Sequence, residues 1–549
     1  MSIIKKTFNQ KIFIKLHPSE KIDKYNKVDD VITISPNISI YEMLNNYDLI
    51  IGMESMLLLE LSIMSNNIIS LRPKDCSKFI GHEFGIIINA YDSQSLNKAR
   101  FKKSPNNINF KKDFKGSKTK LLNFIKKQTL IGYEIYNFAN EIFPINRSIT
   151  GSGLRETLFK IRELLPTLVT YSVRSGTKVF DWKIPNEWSV KNAYIITPKG
   201  ERICDFSINN LHLMGYSIPY NGKLSLDELK KHIHTLHKKP EAIPYVTSYY
   251  EHEWGFCIAY NQYKKLIKGE YEVFIDTSLF KGFLNYGEII IPGKSKKEIF
   301  LSTYICHPSM ANNETSGPAV LTFITKWIKS FSNRFYTYRI IFIPETIGSI
   351  TYLKNNYKNL KKNVIAGFNI SCVGDDRAYS YVQSRKGLSL SDKVTKHVLN
   401  WIDPNFIEYD WLDRGSDERQ YCSPGIDLPI VSICRSKYGT YPEYHTSLDD
   451  LQNVVTPKGL DGGYWAIRKC VEAIERNKKF KVNMLCEPMM SNRGLYPSIS
   501  EPKNMKNEII MDFISLCDGE TCLIDISDRL SVPCWDLYEL IDNLLELKI

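Results

Sequence analysis

Two histidines and several carboxylates, spread over a few short segments, are the residue types needed to hold a divalent metal and activate water. His307 stands in Cys306-His307-Pro308-Ser309-Met310-Ala311-Asn312-Asn313-Glu314-Thr315-Ser316-Gly317. Glu345 stands in Ile343-Pro344-Glu345-Thr346-Ile347-Gly348-Ser349, and His445 in Tyr441-Pro442-Glu443-Tyr444-His445-Thr446-Ser447-Leu448-Asp449. Two imidazoles and one carboxylate make a zinc ligand set that leaves a position open for water. Water at such a centre attacks carbonyls when a nearby carboxylate moves the proton. Glu345 cannot easily be ligand and base at once, so Asp417 and Glu418 of Gly415-Ser416-Asp417-Glu418 become candidate catalytic acids, ahead of Asp375 and Asp376. Asp449, four residues after His445, is placed to orient that imidazole or to cap a helix.

The elements that must position these groups are legible nearby. His307 follows the apolar run Ile299 to Ile305, and Glu345 follows Tyr338 to Ile343. Both runs read as strands, and in open α/β sheets the loops past strand ends converge on one crevice. Residues 128–146 read as an amphipathic helix, and Gly153 to Leu165 as a second one after the turn Arg147-Ser148-Ile149-Thr150-Gly151. Between residues 173 and 275 the texture changes to short β runs, aromatics and turns, as in Lys178 to Trp182, Asn192 to Ile196 and Tyr271 to Ile275. Strand and helix alternation then resumes over 276–483, giving an α/β domain made of 128–172 and 276–483. The aromatics of the β-rich insertion (Trp182, Trp188, Tyr249, Tyr250, Trp254) are candidates to line a substrate cleft, Trp254 foremost. Arg147 and Arg385 could pair a substrate carboxylate or phosphate through two hydrogen bonds.

The chain has 549 residues, 43% hydrophobic and 24% charged, with a net charge of +12. That length exceeds one ordinary core, while the composition is that of a folded, soluble protein. Lysines crowd residues 102–127, which read as a solvated linker, with 106–127 as its core. The twelve cysteines show no CxxC pairing, and Cys306 and Cys422 read as structural thiols beside the candidate site. No secretory segment or membrane-length apolar run is apparent, so a cytoplasmic location without membrane contact is expected. Residues 1–105 alternate strands (Lys11 to Leu16, Val31 to Ile34, Asp48 to Gly52, Asn67 to Leu71) with a helical pattern from Ser55 to Met64. This is the βαβ rhythm of a small parallel sheet. Residues 484–549 suggest three short helices, over Glu508 to Leu516, Asp525 to Leu530 and Pro533 to Leu547, as in a winged helix. Their acidic surface argues against a nucleic-acid partner.

Taken together, the His after a strand, the residue three before Ser316-Gly317, the Glu after a strand, Ser416-Asp417 before Gly425-Ile426, and the closing His445-Thr446 resemble the zinc aminopeptidase and glutaminyl cyclase superfamily. The match extends to a subfamily of polysaccharide biosynthesis proteins with an aminopeptidase-like domain. Arg147 to Gly151, Phe180-Asp181-Trp182, Trp254-Gly255-Phe256-Cys257 and Tyr444 to Asp449 are similar to its signatures. The resemblance covers roughly residues 128–549. It implies an aminopeptidase-like (phosphorylase/hydrolase-like) mixed sheet with helices on both faces, a β-rich insertion and a C-terminal winged helix. The N-terminal Rossmann-like block resembles the C-terminal half of two-Rossmann glycosyltransferases, in which the "KLHP" turn, Glu54 and Glu60 would face a sugar nucleotide. Without the other half, it reads as a docking or vestigial module.

Departures from the superfamily pattern narrow the chemistry. Asn313 stands where a metal-bridging Asp is expected, and Ser371 where a second-metal Asp is expected; Pro344-Glu345 replaces a Glu-Glu pair. Two dications need that negative charge. One zinc is therefore expected, held by His307, Glu345 and His445, with Asn313 turned to substrate binding. The leading expectation is a zinc-dependent amide-bond hydrolase of surface polysaccharide or modified-sugar metabolism, acting on a small or peptide-like substrate such as an acylated amino sugar. The alternatives are a catalytically inactive binding or scaffold protein on the same fold, and a sugar-nucleotide-binding glycosyltransferase relative. A homo-oligomer is compatible with all three.

Overall fold

The computed structural model describes residues 131–490 and 505–549, together with Met43 and five short strands before residue 131. The chain separates into two compact units, Met1–Thr129 and Leu130–Ile549. In the first unit, Ile12–Lys15 and Val31–Ile34 pair in parallel, and Ile50–Gly52, Ile68–Leu71 and Ile88–Ala90 form a second parallel sheet. All four anticipated strands are present, and Ile88–Ala90 is an unanticipated fifth. The Ser55 to Met64 pattern, the "KLHP" turn, Glu54, Glu60 and the lysine-rich linker lie outside the described residues.

The second unit is built on an eight-stranded mixed sheet. In chain order its strands are β1 (Val169–Arg174), β2 (Phe283–Ile291), β3 (Glu298–Tyr304), β4 (Thr337–Ile343), β5 (Val364–Ile370), β6 (Ser380–Val382), β7 (Ile407–Tyr409) and β8 (Ile430–Cys434). Across the sheet the order is β7-β6-β8-β5-β3-β4-β2-β1. Strands β4, β3, β5 and β8 run parallel, while β1, β2 and β6 pair antiparallel to their inner neighbours. Every residue of β3 and of β8 is buried, as expected of parallel strands covered on both faces.

Period-two alternation sorts those apolar runs onto two cores. Ile299, Leu301, Ile340 and Phe342 pack with helices α1 (Ser152–Leu164), α2 (Ser316–Ser330), α4 (Leu390–Ile402) and α5 (Pro457–Arg476). Phe300, Ile341 and Ile343 pack on the other side with α3 (Ile347–Asn363) and the insertion. Local chemistry starts two of these helices. Ser389 and Asp392 form a reciprocal capping box at α4, and Thr456 caps α5 ahead of Pro457.

The insertion boundaries differ from the expected 173–275. Val173 and Arg174 pair with Leu284 and Phe283 inside the main sheet, and Glu270–Phe280 is one unbroken strand of the inserted sheet. Residue 276 therefore lies in mid-strand, and the insertion runs over 175–282. Its own sheet is antiparallel, in the order Arg202–Ile203, Glu187–Ile196, Glu270–Phe280, Tyr220–Ser225. At the other end, Lys479–Lys481 pairs with Asp518–Cys522, which moves the start of the tail unit from 484 to before Lys479. The tail helices are Met505–Leu516, Leu523–Arg529 and Tyr538–Glu546. Among the described residues no helix is long and apolar enough to cross a membrane.

Candidate functional site

Strands β3 and β4 deliver His307 and Glu345 to the same edge of the sheet. Past β3 the backbone stays registered, Ile305 N–H donating to Ile343 O at 2.9 Å, and Cys306 and His307 follow. The next turn, Ala311–Thr315, is wholly buried and runs straight into α2. Ser316 closes it by donating to Asn312 O at 2.6 Å, and Gly317 is required because a Cβ there would sit 2.6 Å from Ile370 O. This packing fixes Glu314 seven residues after His307 and beneath it.

His307 is held from one side by a buried network. Its Nδ1 lies 2.9 Å from Glu314 Oε2, Glu314 Oε1 lies 3.0 Å from Arg147 Nε, and Arg147 Nε also donates to His307 O at 2.9 Å. All three side chains are buried. Burial opposes a charge on His307, but Cys306, Tyr245 and the Glu314 hydrogen bond outweigh it and raise the imidazole well above its ordinary range. Burial likewise raises Glu314, against the pull of His307 and Arg147.

The other side of the ring opens toward the remaining donors. His307 Nε2 is 3.6 Å from Glu345 Oε2, and the His445 ring lies 6.0 Å away between centroids. His445 has a left-handed backbone (φ 56°) and stacks on Tyr444 at 3.9 Å. Burial, reinforced by the charge of His307, lowers its imidazole to about 3, so it stays neutral. Tyr245 of the insertion stands edge-on to both imidazoles, 5.4 Å from His307 and 5.2 Å from His445. It is pinned there because its N–H donates to His445 O at 2.9 Å and Pro244 bridges Thr446.

The candidate carboxylates divide sharply. Asp417 is fully buried, and its Oδ1 accepts from Thr346 N–H (2.8 Å) and Ser349 Oγ (2.7 Å). Its Oδ2 is buried without a hydrogen-bond partner. Burial, then the charge of Glu345, pushes this carboxyl up to about 8. Thr346, between the two, is held at φ 62°, a left-handed conformation costly for a β-branched residue. Glu418, expected to share the catalytic role, is instead consumed by structure. It accepts from Gly415 N, Ser416 N, Tyr438 Oη, Asn369 Nδ2 and Ser432 Oγ. Asp375 is likewise saturated by Asn312, Arg377 and Ser436, and Asp376 accepts from Thr456.

Other expected roles need correction. Asp449 does not touch His445: it accepts from the N–H groups of Asn312 (2.7 Å) and Asn313 (2.9 Å) and from Tyr441 Oη, and so holds the turn that positions Glu314. Arg147 supports His307 from within the core instead of meeting substrate. Arg385 is tied to Asp427 at 2.8 Å. Trp254 is packed between His232 (3.8 Å) and Tyr220 (4.3 Å) inside the insertion, so it lines no cleft at His307. Asn313 is buried at the site, with Tyr304 Oη donating to its O and Oδ1, and its Nδ2 has no hydrogen-bond partner. Cys306 and Cys422 are buried structural thiols, pushed up by burial to about 11 and about 12.

Glu314 and Tyr245 went unassigned in the sequence. Glu314 had a signal, since it lies in the same short loop as His307; Tyr245 had none, being 62 residues away in the chain. Ligand atoms of Cys306, His307 and Glu314 lie within 4.8 Å of one another, but the Arg147 guanidinium already neutralises Glu314 there. On the far side of the ring His307 Nε2 lies 3.6 Å from Glu345 Oε2, and Glu314 on the other nitrogen is the kind of support metal-binding histidines commonly have. Among the described residues only the Cys306, His307 and Glu314 ligand atoms gather within 4.8 Å, so His445 would have to move toward His307 and Glu345 to share an ion with them, and His307 would have to give up a proton.

Residues 136–477 match the family described as "Domain of unknown function (DUF4910)", and 478–549 match a winged helix-turn-helix family. A Clostridium acetobutylicum protein named "Putative polysaccharide biosynthesis protein with aminopeptidase-like domain" is 43% identical over 407 residues, 74% of this chain and 93% of its own. The crystal structure titled as a "putative peptidase" from the same organism is 40% identical, with TM-score 0.73, covering 78% of this chain and 98% of its own. A zinc aminopeptidase from Bacillus subtilis is similar at 13% identity and TM-score 0.47, over 63% of this chain and 94% of its own. The chain thus belongs to the DUF4910 family, as an aminopeptidase-like protein with a C-terminal winged helix.

Proposed function

We propose that the protein is a single-zinc hydrolase of amide bonds in which His307, Glu345 and His445 hold the ion. The observation that carries this is the two-sided His307: Nδ1 tied to Glu314, and Nε2 facing Glu345 at 3.6 Å with the neutral His445 ring 6.0 Å across. Zinc bound there supplies Lewis acidity, polarising a carbonyl and making water easier to deprotonate. The chain's own residues do the rest. Glu314 and Arg147 fix the His307 ring, and Tyr245 spaces the two imidazoles. Asp417, an acid at neutral pH with a free Oδ2, holds the proton needed by a leaving amine. Asn313 and Ser371 contribute no negative charge, which supports one ion over two. The name of the Clostridium relative supports a substrate from polysaccharide metabolism, and an acylated amino sugar is the amide we favour.

The test is metal content in protein purified without chelators, beside the His445→Ala variant. About one zinc per chain, lost in the variant, is expected. Native protein that takes up no metal, even when zinc is supplied, would sink this mechanism. It would leave the second reading, a binding protein on a hydrolase fold, which Asn313 and Ser371 favour.

A further inference from the structure

Strand β1 (Val169–Arg174) is an edge of the eight-stranded sheet, and its outer side is open. Val169, Thr170, Tyr171, Ser172 and Arg174 are all exposed. An open edge is a template for pairing with another chain, and proteins usually blunt it by shortness, lysine, proline or a bulge. Two other edges here are blunted. β7, at the far end of the same sheet, has only three residues, with Glu408 held by Lys396 at 3.0 Å. In the inserted sheet, Tyr220–Ser225 carries Lys223, which is bound to Glu270 and Glu272. β1 has neither device. It reads Val-Thr-Tyr-Ser-Val-Arg and pairs with β2 without a break in register.

The pairing with β2 determines which main-chain groups face outward. Ser175 N–H donates to Gly282 O at 3.0 Å, one step beyond the Arg174–Phe283 pair. In an antiparallel ladder the inward-bonded residues alternate, so they are Val169, Tyr171 and Val173. Thr170 and Ser172 therefore turn both N–H and C=O outward. On either side of them the outward groups are partly spent: Arg174 O accepts from Thr177 N–H, and Leu168 N–H donates to Leu165 O. The side chains add an apolar strip on one face. Val169 and Tyr171 are 51% and 40% exposed, and Ile290, two residues beyond the Val169 partner Glu288, is 49% exposed on the same face.

We infer that β1 pairs antiparallel with β1 of a second copy of this chain, about a two-fold axis through Tyr171. Such an interface must be complementary to itself. Of the registers centred on Thr170, Tyr171 or Ser172, only the middle one pairs every outward group. There Thr170 of each copy faces Ser172 of the other, and each such pair exchanges both main-chain bonds. Centring on Thr170 would set Ser172 O against the Leu168 N–H already given to Leu165. Centring on Ser172 would set the Thr170 N–H against the Arg174 O already taken by Thr177. The Tyr171 register also opposes Val169 to Val173 and Tyr171 to itself, as the closely spaced pairs whose side chains interact best. Arg174, the only charge of the strand, falls outside the paired residues. The two eight-stranded sheets thereby join into one, and this assembly does not depend on zinc or on hydrolysis.

The test is sedimentation velocity of the full-length chain over a concentration series. Reversible dimerisation is expected in the wild type. It should weaken about tenfold or more in Thr170→Pro, which removes an outward N–H, and in Tyr171→Lys, which sets like charges on the axis, with circular dichroism unchanged. Oxidative cross-linking then reads the register. In a Cys76→Ser/Cys486→Ser background, Tyr171→Cys should yield a covalent dimer, whereas Thr170→Cys and Ser172→Cys should not. A monomer at every concentration would overturn the inference and leave the edge to an extended peptide of another protein. A dimer indifferent to both edge variants would overturn it by placing the interface elsewhere. So would cross-linking through Thr170→Cys or Ser172→Cys in preference to Tyr171→Cys, because the axis would then miss Tyr171.

Discussion

Strands β3 and β4 carry a buried arginine network near each end, and the two are built from the same chemistry for different ends. Near the amino ends, Arg339 is ringed by Glu298 through Nε (2.6 Å) and Nη2 (2.9 Å), by Glu288 (2.6 Å) and by Tyr352 (3.1 Å), which itself donates to Glu288. At the carboxyl ends, Arg147 holds one carboxylate, Glu314, which passes its second oxygen to His307. The first network closes on itself. The second is left open: Arg147 Nη2 has no hydrogen-bond partner, and the imidazole at its tip still presents Nε2 to Glu345.

That contrast can be broken experimentally. Arg339→Met strands two buried carboxylates and should cost about 3–5 kcal/mol in chemical denaturation, with zinc bound per folded chain unchanged. Glu314→Gln should do the reverse: a smaller loss of stability, but zinc affinity lower by about 10–100-fold in a competition titration. Unchanged affinity would make the second network structural like the first. Asp417 sharpens the picture through pH. Its carboxyl ionises at about 8 in the folded chain against about 4 when unfolded, so the folded state holds the extra proton between those values. Stability of the chelated protein should fall as pH rises through that window and level off above it, and Asp417→Asn should flatten the curve. The smallest effect belongs to Arg385→Ala. Its half-exposed pair with Asp427 is worth about 0–1 kcal/mol, and zinc content should not change.

His307 and Glu345 were legible because each follows a continuous apolar strand, and such strands end where functional loops gather. The acids were less so. Asp417 and Glu418 are sequence neighbours, yet one keeps a free oxygen and the other meets five donors, a difference set by Tyr438, Asn369 and Ser432 from other elements. Asp449 was drawn toward His445 by its spacing, whereas the folded chain brings it to the Asn312 and Asn313 amides, more than 130 residues away. Trp254 failed as a cleft residue for the same reason that the insertion boundary shifted: aromatic β runs look alike whether they face a cavity or a core. Tyr271 to Ile275 reads as strand, but only the pairing of Glu270–Phe280 with Glu187–Ile196 carries the strand past 275 and assigns it to the inserted sheet.

The tail unit has a consequence of its own. Ile524, Ile526, Leu537 and Ile541 belong to the same apolar core as α2, α4 and α5. The seam is fastened further by His397, between Asp528 and the Cys534 N–H, and by the Lys393–Asp525 and Arg476–Asp542 pairs. The tail unit is one wall of a shared interior, so it should melt in the same transition as the α/β sheet, and it could be exchanged between proteins only together with the helices it leans on.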